Sequence, residues 1–272
     1  MTRPFLLPSF ARASALLILA LLALPAVADE ASPWVVGAKS RARLVAQTGM
    51  YEGQHRVGVE IALDPATLTY WRHPGDAGIP PVFNFEGSKN LERAEVVYPA
   101  PKRIAEAGGD AFGYVERVIF PVRVTPKDAS KPVGLKLRLD YASCEKICIP
   151  AQADLHLELL AAKAGGVSAG VSPLQQFEAR VPKAFVSASK PLVGSEKAKV
   201  WHIAPPPGES VEDMFIEGPD GWFFESAVKP DGTLLATLAE RPKAAQNTVE
   251  IRVTFTRMIQ PVETRLVLDT AP

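Results

Sequence analysis

The residue types best suited to chemistry in this sequence are two cysteines, Cys144 and Cys148, set as Cys144-Glu145-Lys146-Ile147-Cys148. Two thiols interconvert with a disulfide when a thiolate attacks a sulfur. Four steps along a straight strand separate Cα atoms by roughly 13 Å, whereas a disulfide needs them within about 7 Å. The chain must therefore turn between the cysteines. A bridge here closes a loop of five residues counting both ends. The chain-entropy model values such a loop at about 2 kcal/mol, against about 3 for fifteen residues. So small a clamp does little for a chain of this size, and strained, exposed bridges are the labile ones. On these grounds redox exchange and a structural staple stand level. Two thiolates also suit Cu(I), but no methionine lies nearby and only His156 is close in sequence. A closed zinc site needs four ligands, and no metal or other cofactor is expected.

Other constellations are weaker. His55, His73, His156 and His202 are scattered, with no H-x-x-H and no carboxylate-rich cluster. Trp201, Trp222, Phe223 and Phe224 are read as mainly core, because aromatic residues in strands usually are. Lys146 is a lone lysine in a polar turn, and solvation is its plainer reading.

The cysteines need elements to hold them. Leu135-Lys136-Leu137-Arg138-Leu139-Asp140-Tyr141 precedes them, and Ala153-Asp154-Leu155-His156-Leu157-Glu158-Leu159 follows. Both alternate with period two, the mark of a strand buried on one face. The simplest arrangement is an antiparallel hairpin whose connection carries both sulfurs. Arg56 to Leu63, Val249 to Phe255 and Glu263 to Leu268 alternate in the same way. The 25 prolines fall between short apolar runs, which favours an all-β architecture with many turns, a β-sandwich.

Lys163-Ala164-Gly165-Gly166-Val167-Ser168-Ala169-Gly170 is small and flexible in composition. It divides an expected β-domain at 29–162 from a second at 171–272, with 163–170 as linker. The second opens with a helix start, Ser172 as cap and Pro173 in the first turn.

The beginning of the chain sets the compartment. Arg3 and Arg12 precede the apolar run Ala13 to Ala23, then come Pro25 and Ala26-Val27-Ala28. This is the pattern of a secretory signal peptide over 1–28, and the run is shorter than the about 20 residues that span a bilayer. The mature chain is expected to be soluble and periplasmic, without membrane insertion. Lys+Arg and Asp+Glu number 30 each, so there is no electrostatic footprint for nucleic acid or anionic lipid.

Tyr141-Ala142-Ser143-Cys144-Glu145-Lys146-Ile147-Cys148-Ile149-Pro150 resembles the active-site segment of the periplasmic N-terminal domain of the DsbD thiol:disulfide interchange family, and more closely its ScsB relatives. There a tyrosine-containing strand leads to the first cysteine, and an apolar residue and proline follow the second. The resemblance extends across most of residues 35 to 160. Leu68-Thr69-Tyr70-Trp71-Arg72 is placed like the family's aromatic strand, which puts Tyr70 near the site. Beyond the linker it is much weaker, although the ScsB type also carries a second β-domain there.

The resemblance implies an immunoglobulin-like sandwich that passes reducing equivalents by thiol–disulfide exchange, with Cys148 as the exchanging sulfur and Cys144 as the resolving one. Asp110-Ala111-Phe112-Gly113-Tyr114 is similar to the family's cap loop, in which Phe112 is the covering ring between Asp110 and Tyr114. The plainer reading of Phe112 is a hydrophobic anchor ahead of Val118-Ile119-Phe120. The cysteine spacing is shorter than in the enterobacterial DsbD type. No C-x-x-C occurs, so the implied partners are periplasmic thiol–disulfide proteins and a separate membrane electron donor. The alternative function is a non-enzymatic binding or scaffold protein with a structural disulfide, or a copper-handling protein.

The leader has a direct test. Mass spectrometry of a periplasmic fraction is expected to find a chain that begins at Asp29 and carries no lipid. A mature chain that keeps Ala13 to Ala23 would overturn the soluble assignment.

Overall fold

The computed structural model describes residues 30–76, 78–106, 109–161, 172–187, 191–195, 199–244, 246–256 and 260–271. The expected signal peptide, the linker at 163–170 and Gly108 lie outside the described residues. The first half contains β1 (Glu30–Ala31), β2 (Val35–Gly37), β3 (Ser40–Tyr51), β4 (Gln54–Leu63), β5 (Leu68–Gly75), β6 (Val82–Asn84), β7 (Leu91–Val96), β8 (Lys102–Glu106), β9 (Gly109–Val115), β10 (Arg117–Pro126), β11 (Val133–Cys144) and β12 (Cys148–Leu159). A short helix, α1 (Pro173–Glu178), precedes the second half: β13 (Lys183–Ala184), β14 (Leu192–Ser195), β15 (Val200–Ile203), β16 (Asp213–Glu217), β17 (Phe223–Val228), β18 (Leu234–Glu240), β19 (Thr248–Thr256) and β20 (Val262–Asp269).

Four sheets result. The first half supplies β1-β3-β4-β10-β7, with β2 on β3, and β12-β11-β5-β9-β8, with β6 on β11. The second half supplies β13-β20-β19-β16 and β14-β15-β18-β17. The architecture is all-β and immunoglobulin-like, as the sequence leads one to expect.

Alternation explains why the first two sheets stack. Val57, Val59 and Ile61 of β4, Val118, Phe120 and Val122 of β10, and Leu135, Leu137 and Leu139 of β11 are buried in one cluster. Each such side chain contributes about 1.5–3 kcal/mol on burial. A strand that slipped by one residue would turn this whole set to water.

The helix forms where its cap residues predict. The Ser172 hydroxyl accepts from the Gln175 N–H, and the Gln175 side chain accepts from the Ser172 N–H at 2.9 Å, a reciprocal capping box. By sequence α1 opens the second part, yet Leu174 and Phe177 are buried in the first core. Glu178 pairs with Arg56, and the Arg180 carbonyl accepts from the Ala100 N–H at 2.8 Å. So short a helix must bury its two apolar side chains against an existing core, and the first sandwich provides it.

Trp201, Trp222, Met214, Ile216, Val253 and Phe255 belong to the second core, while Phe223 is 50% exposed. Strand β16 serves both cores. Met214 and Ile216 point into the second, and Phe215, fully buried, joins the first. Successive side chains of a strand face opposite ways, so one edge strand seals two layers.

Leu174→Ala is expected to lower stability by about 2–5 kcal/mol, read by denaturant unfolding. A loss under about 0.5 kcal/mol, typical of a surface position, would contradict the docking of α1 in the first core.

Candidate functional site

The hairpin that carries the cysteines is one continuous ladder. β11 and β12 pair from Val133↔Leu159 to Cys144↔Cys148 without a register shift. Cys144 and Cys148 form a disulfide with Cα atoms 4.1 Å apart, so Glu145 to Ile147 supply the turn that the spacing requires. On its other side Cys144 pairs with Leu68 of β5. Side chains brace the end of the hairpin. The Thr69 hydroxyl donates to the Ala142 carbonyl at 2.8 Å, and the Ser143 hydroxyl donates to the Ala38 carbonyl. The Tyr141 and Ser40 hydroxyls share a hydrogen bond of 2.8 Å. Lys39 pairs with Glu145 at the tip, and its hydrogen bond holds the Glu145 carboxyl below the usual range.

The two sulfurs differ in access. Cys144 is 1% exposed and packs with Leu68, Tyr70, Ala111 and Ala142. Cys148 is exposed, between Ile147 (76% exposed) and Ile149. Under it lies Tyr70, itself buried, whose hydroxyl donates to Cys148 Sγ at 3.0 Å. Burial, with the nearby Glu106 carboxylate adding to it, pushes the Tyr70 phenol above its ordinary range. The phenol therefore keeps its proton, and with it a donor aimed at the exposed sulfur. Lys146 is exposed at the tip.

The three residues expected in a cap lie in strand β9, not in a loop. Alternation divides the strand between two layers. Ala111 packs with Cys144, while Phe112 and Tyr114 belong to the sandwich core. Phe112, 8% exposed, meets Phe215 edge-on at 4.8 Å between ring centroids and stacks on His73 at 5.9 Å. Its packing is that of the hydrophobic anchor. The Tyr114 hydroxyl donates to the Pro99 carbonyl at 2.7 Å, and full burial raises its pKa well above the ordinary value. Asp110 pairs with Arg103.

What does lie on Tyr70 is the connection between β5 and β6. A side chain at Gly78, where φ is 154°, would run into the Tyr70 ring and Pro74. Two hydrogen bonds tie this connection to β9: the Asp76 N–H donates to the Asp110 carbonyl at 3.1 Å, and the Asp76 carboxylate accepts from the Asp110 N–H at 2.8 Å. Sequence reasoning missed this segment. Its signal was Gly78-Ile79-Pro80-Pro81, directly after the aromatic strand. His156 sits in the ladder opposite Lys136, far along β12 from the sulfurs. Among the described residues no group of three or more His, Cys, Asp or Glu converges.

The site is thus an immunoglobulin-like sandwich with a disulfide at a hairpin tip, one sulfur buried and the other exposed. Residues 40–160 match the family described as thiol:disulfide interchange protein DsbD, N-terminal. This stretch is a DsbD-like N-terminal domain. Among solved structures, the N-terminal periplasmic domain of ScsB from Proteus mirabilis aligns with a TM-score of 0.64 at 19% identity, covering 90% of this chain and 100% of that one. A match of that extent takes in both halves. An immunoglobulin tandem of titin aligns with a TM-score of only 0.18 at 8% identity, covering 86% of this chain and 98% of that one. No curated protein matches the chain. Among the described residues no helix is long and apolar enough to cross a membrane.

The difference in access has a chemical consequence, because alkylation follows thiolate character and exposure. In the reduced protein, a brief pulse of iodoacetamide is expected to label Cys148 well before Cys144, as read by peptide mass mapping. Equal labelling would show that Cys144 is not shielded once the bridge is open.

Proposed function

We propose that this protein relays reducing equivalents in the periplasm, taking them from the dithiol of a separate membrane protein and passing them to periplasmic disulfide proteins through Cys144 and Cys148. The observation that carries this reading is the contrast between an exposed Cys148 sulfur and a buried Cys144 sulfur directly behind it. In-line exchange needs one sulfur that a partner reaches and a second that only the first reaches.

In the outgoing direction the Cys148 thiolate attacks a sulfur of the partner's disulfide. A Cys148–partner bond forms, and the partner's other sulfur leaves as a thiolate and takes up a proton. The Cys144 thiolate then attacks Cys148 Sγ, the partner's remaining sulfur leaves and is protonated, and the Cys144–Cys148 bridge is restored. Two electrons and two protons have passed to the partner. The membrane dithiol reverses these steps to recharge the pair. Tyr70 donates to Cys148 Sγ, so it stabilises the thiolate at the sulfur that attacks first. Phe112 and Tyr114 support the strand beside Tyr70 rather than cover the sulfurs.

The periplasmic assignment rests on the leader-like start of the sequence and on the likeness to a periplasmic domain. The organisation into two tandem β-domains is supported by the division of the four sheets, with α1 belonging physically to the first.

The order of attack is tested by trapping. Cys144→Ala, which keeps Cys148, is expected to accumulate a mixed disulfide with a periplasmic thiol–disulfide protein on non-reducing gels, while Cys148→Ala accumulates little. Equal trapping would contradict the assigned order. No trapping, together with a bridge potential below about −300 mV, would make the disulfide structural and the protein a binding or scaffold module.

A further inference from the structure

We infer that the second half of the chain is a working part of the redox site: the Asp213–Phe215–Glu217 face of β16 fixes the bulge that follows Tyr70 and thereby keeps the Tyr70 hydroxyl on Cys148. This deepens the exchange reading above and rests on it.

Strand β5 is irregular after Tyr70. Its ladder with β9 runs Leu68↔Val115, Thr69↔Tyr114, Tyr70↔Gly113, then resumes only at Gly75↔Ala111. Trp71 to Pro74 thus stand opposite Phe112 alone. A bulge loses ladder hydrogen bonds and re-aims its side chains, so other contacts must hold its shape. Those contacts come from β16. The Trp71 indole packs edge-on against Phe215 at 5.9 Å. The Arg72 guanidinium donates to both Glu217 carboxylate oxygens, at 2.6–3.2 Å, and also pairs with Glu263 of β20.

The strands opposite the bulge are held by the same face. Phe112 meets Phe215, and Arg103 of β8 donates to the Asp213 carboxylate at 3.1–3.4 Å and to the Met214 carbonyl at 3.0 Å. Asp213, Phe215 and Glu217 alternate along β16, so all three face the first half. At Gly113, the residue paired with Tyr70, an added Cβ would strike the Thr69 carbonyl. The strands there are in close contact, and a shift of the bulge passes directly to Tyr70. Tyr70 touches the reacting sulfur. Glu217 and Asp213 act through it, as positioning residues.

The sign of the effect separates positioning from simple electrostatics. Removing the Glu217 charge takes a negative group from the region and leaves Arg72 less compensated. By Coulomb interaction alone, both changes favour the Cys148 thiolate. If Glu217 instead holds Tyr70 in place, its loss withdraws a hydrogen-bond donor from the thiolate and disfavours it. The two mechanisms shift the Cys148 titration in opposite directions.

The experiment uses the full-length chain with Cys144→Ala, so that Cys148 is the one thiol, and reads the midpoint pH of its alkylation by iodoacetamide. Tyr70→Phe is expected to raise the midpoint by about one pH unit, roughly a tenfold loss of thiolate at neutral pH. Glu217→Gln is expected to raise it in the same direction by a smaller amount, and to add nothing in the Tyr70→Phe background. Asp213→Asn, which loosens the Arg103 side of the same face, serves as the second variant should Glu217→Gln fold poorly, and the same rise is expected of it. An unchanged or lowered midpoint in the folded Glu217→Gln and Asp213→Asn variants would overturn the inference, as would shifts that simply add to that of Tyr70→Phe. Failure of the exchange reading shows elsewhere, as the absence of any trapped partner with a normal alkylation midpoint.

Discussion

Leu135, Leu137 and Leu139 of β11 and Leu155 and Leu159 of β12 are buried in one core, and their burial sets the register of the hairpin that ends in the disulfide. A shift of one residue between these strands would expose the buried set on one of them, at a cost of several kcal/mol by the usual value per side chain. The unbroken register from Val133↔Leu159 onward brings Cys144 opposite Cys148. The cysteine pair is therefore positioned by apolar residues far from the sulfurs. The polar braces at the tip, from Lys39, Thr69 and Ser143, then stabilise a turn whose location is already decided.

The same alternation makes the two sulfurs unequal. Cys144 ends a strand paired on both sides, by β12 and by Leu68 of β5, and its side chain packs into the Leu68, Tyr70, Ala111 and Ala142 cluster. Cys148 begins a strand that is the edge of its sheet, so among the described residues no strand pairs with it on one side, and Cys148 is exposed. An edge strand is ordinarily a liability, open to pairing with other chains. In the proposed exchange, that exposure is what a partner's sulfur would use. Tyr70 joins the two environments: its ring packs with Cys144, and its hydroxyl reaches Cys148.

Much of this was legible in the sequence because it follows from local periodicity and cap chemistry. The hairpin, the turn between the cysteines, the capped helix at Ser172 and the all-β class all follow from patterns within a dozen residues. Phe112 was harder to place, because its role turns on parity. Ala111 and Phe112 are neighbours on one strand, one in the sulfur layer and the other in the sandwich core, and the glycine-rich Gly108-Gly109 and Gly113 around them read as loop rather than strand. The position of α1 was equally hidden, since its cap identifies a helix without identifying the core that receives it. β16 gave no alternating pattern at all. Met214, Phe215 and Ile216 form a continuous apolar run between two acids because both of its faces are buried, and nothing local indicates that the two faces belong to different cores.

How the halves are joined follows from the kind of contact available between them. Each of the four sheets draws its strands from one half, so among the described residues no strand ladder fixes one half against the other. The connection falls mainly to side chains, beside the Ala100–Arg180 backbone bond: α1 in the first core, and the β16 face with Phe215 at its centre and Asp213 and Glu217 at its margins. An apolar centre flanked by charged pairs is the usual anatomy of a specific interface. The arginines suit these margins because a guanidinium offers parallel donors to a carboxylate, and lysine has no such geometry. Arg72 is mostly withdrawn from solvent between Glu217 and Glu263, with its guanidinium over the Trp71 ring at 4.4 Å. A pair so placed is costly to break from one side, since the partner left behind stays partly buried and uncompensated. The second half is thus held beside the bulge as well as through α1, at the part of the first half that leads directly to Tyr70 and the exposed sulfur.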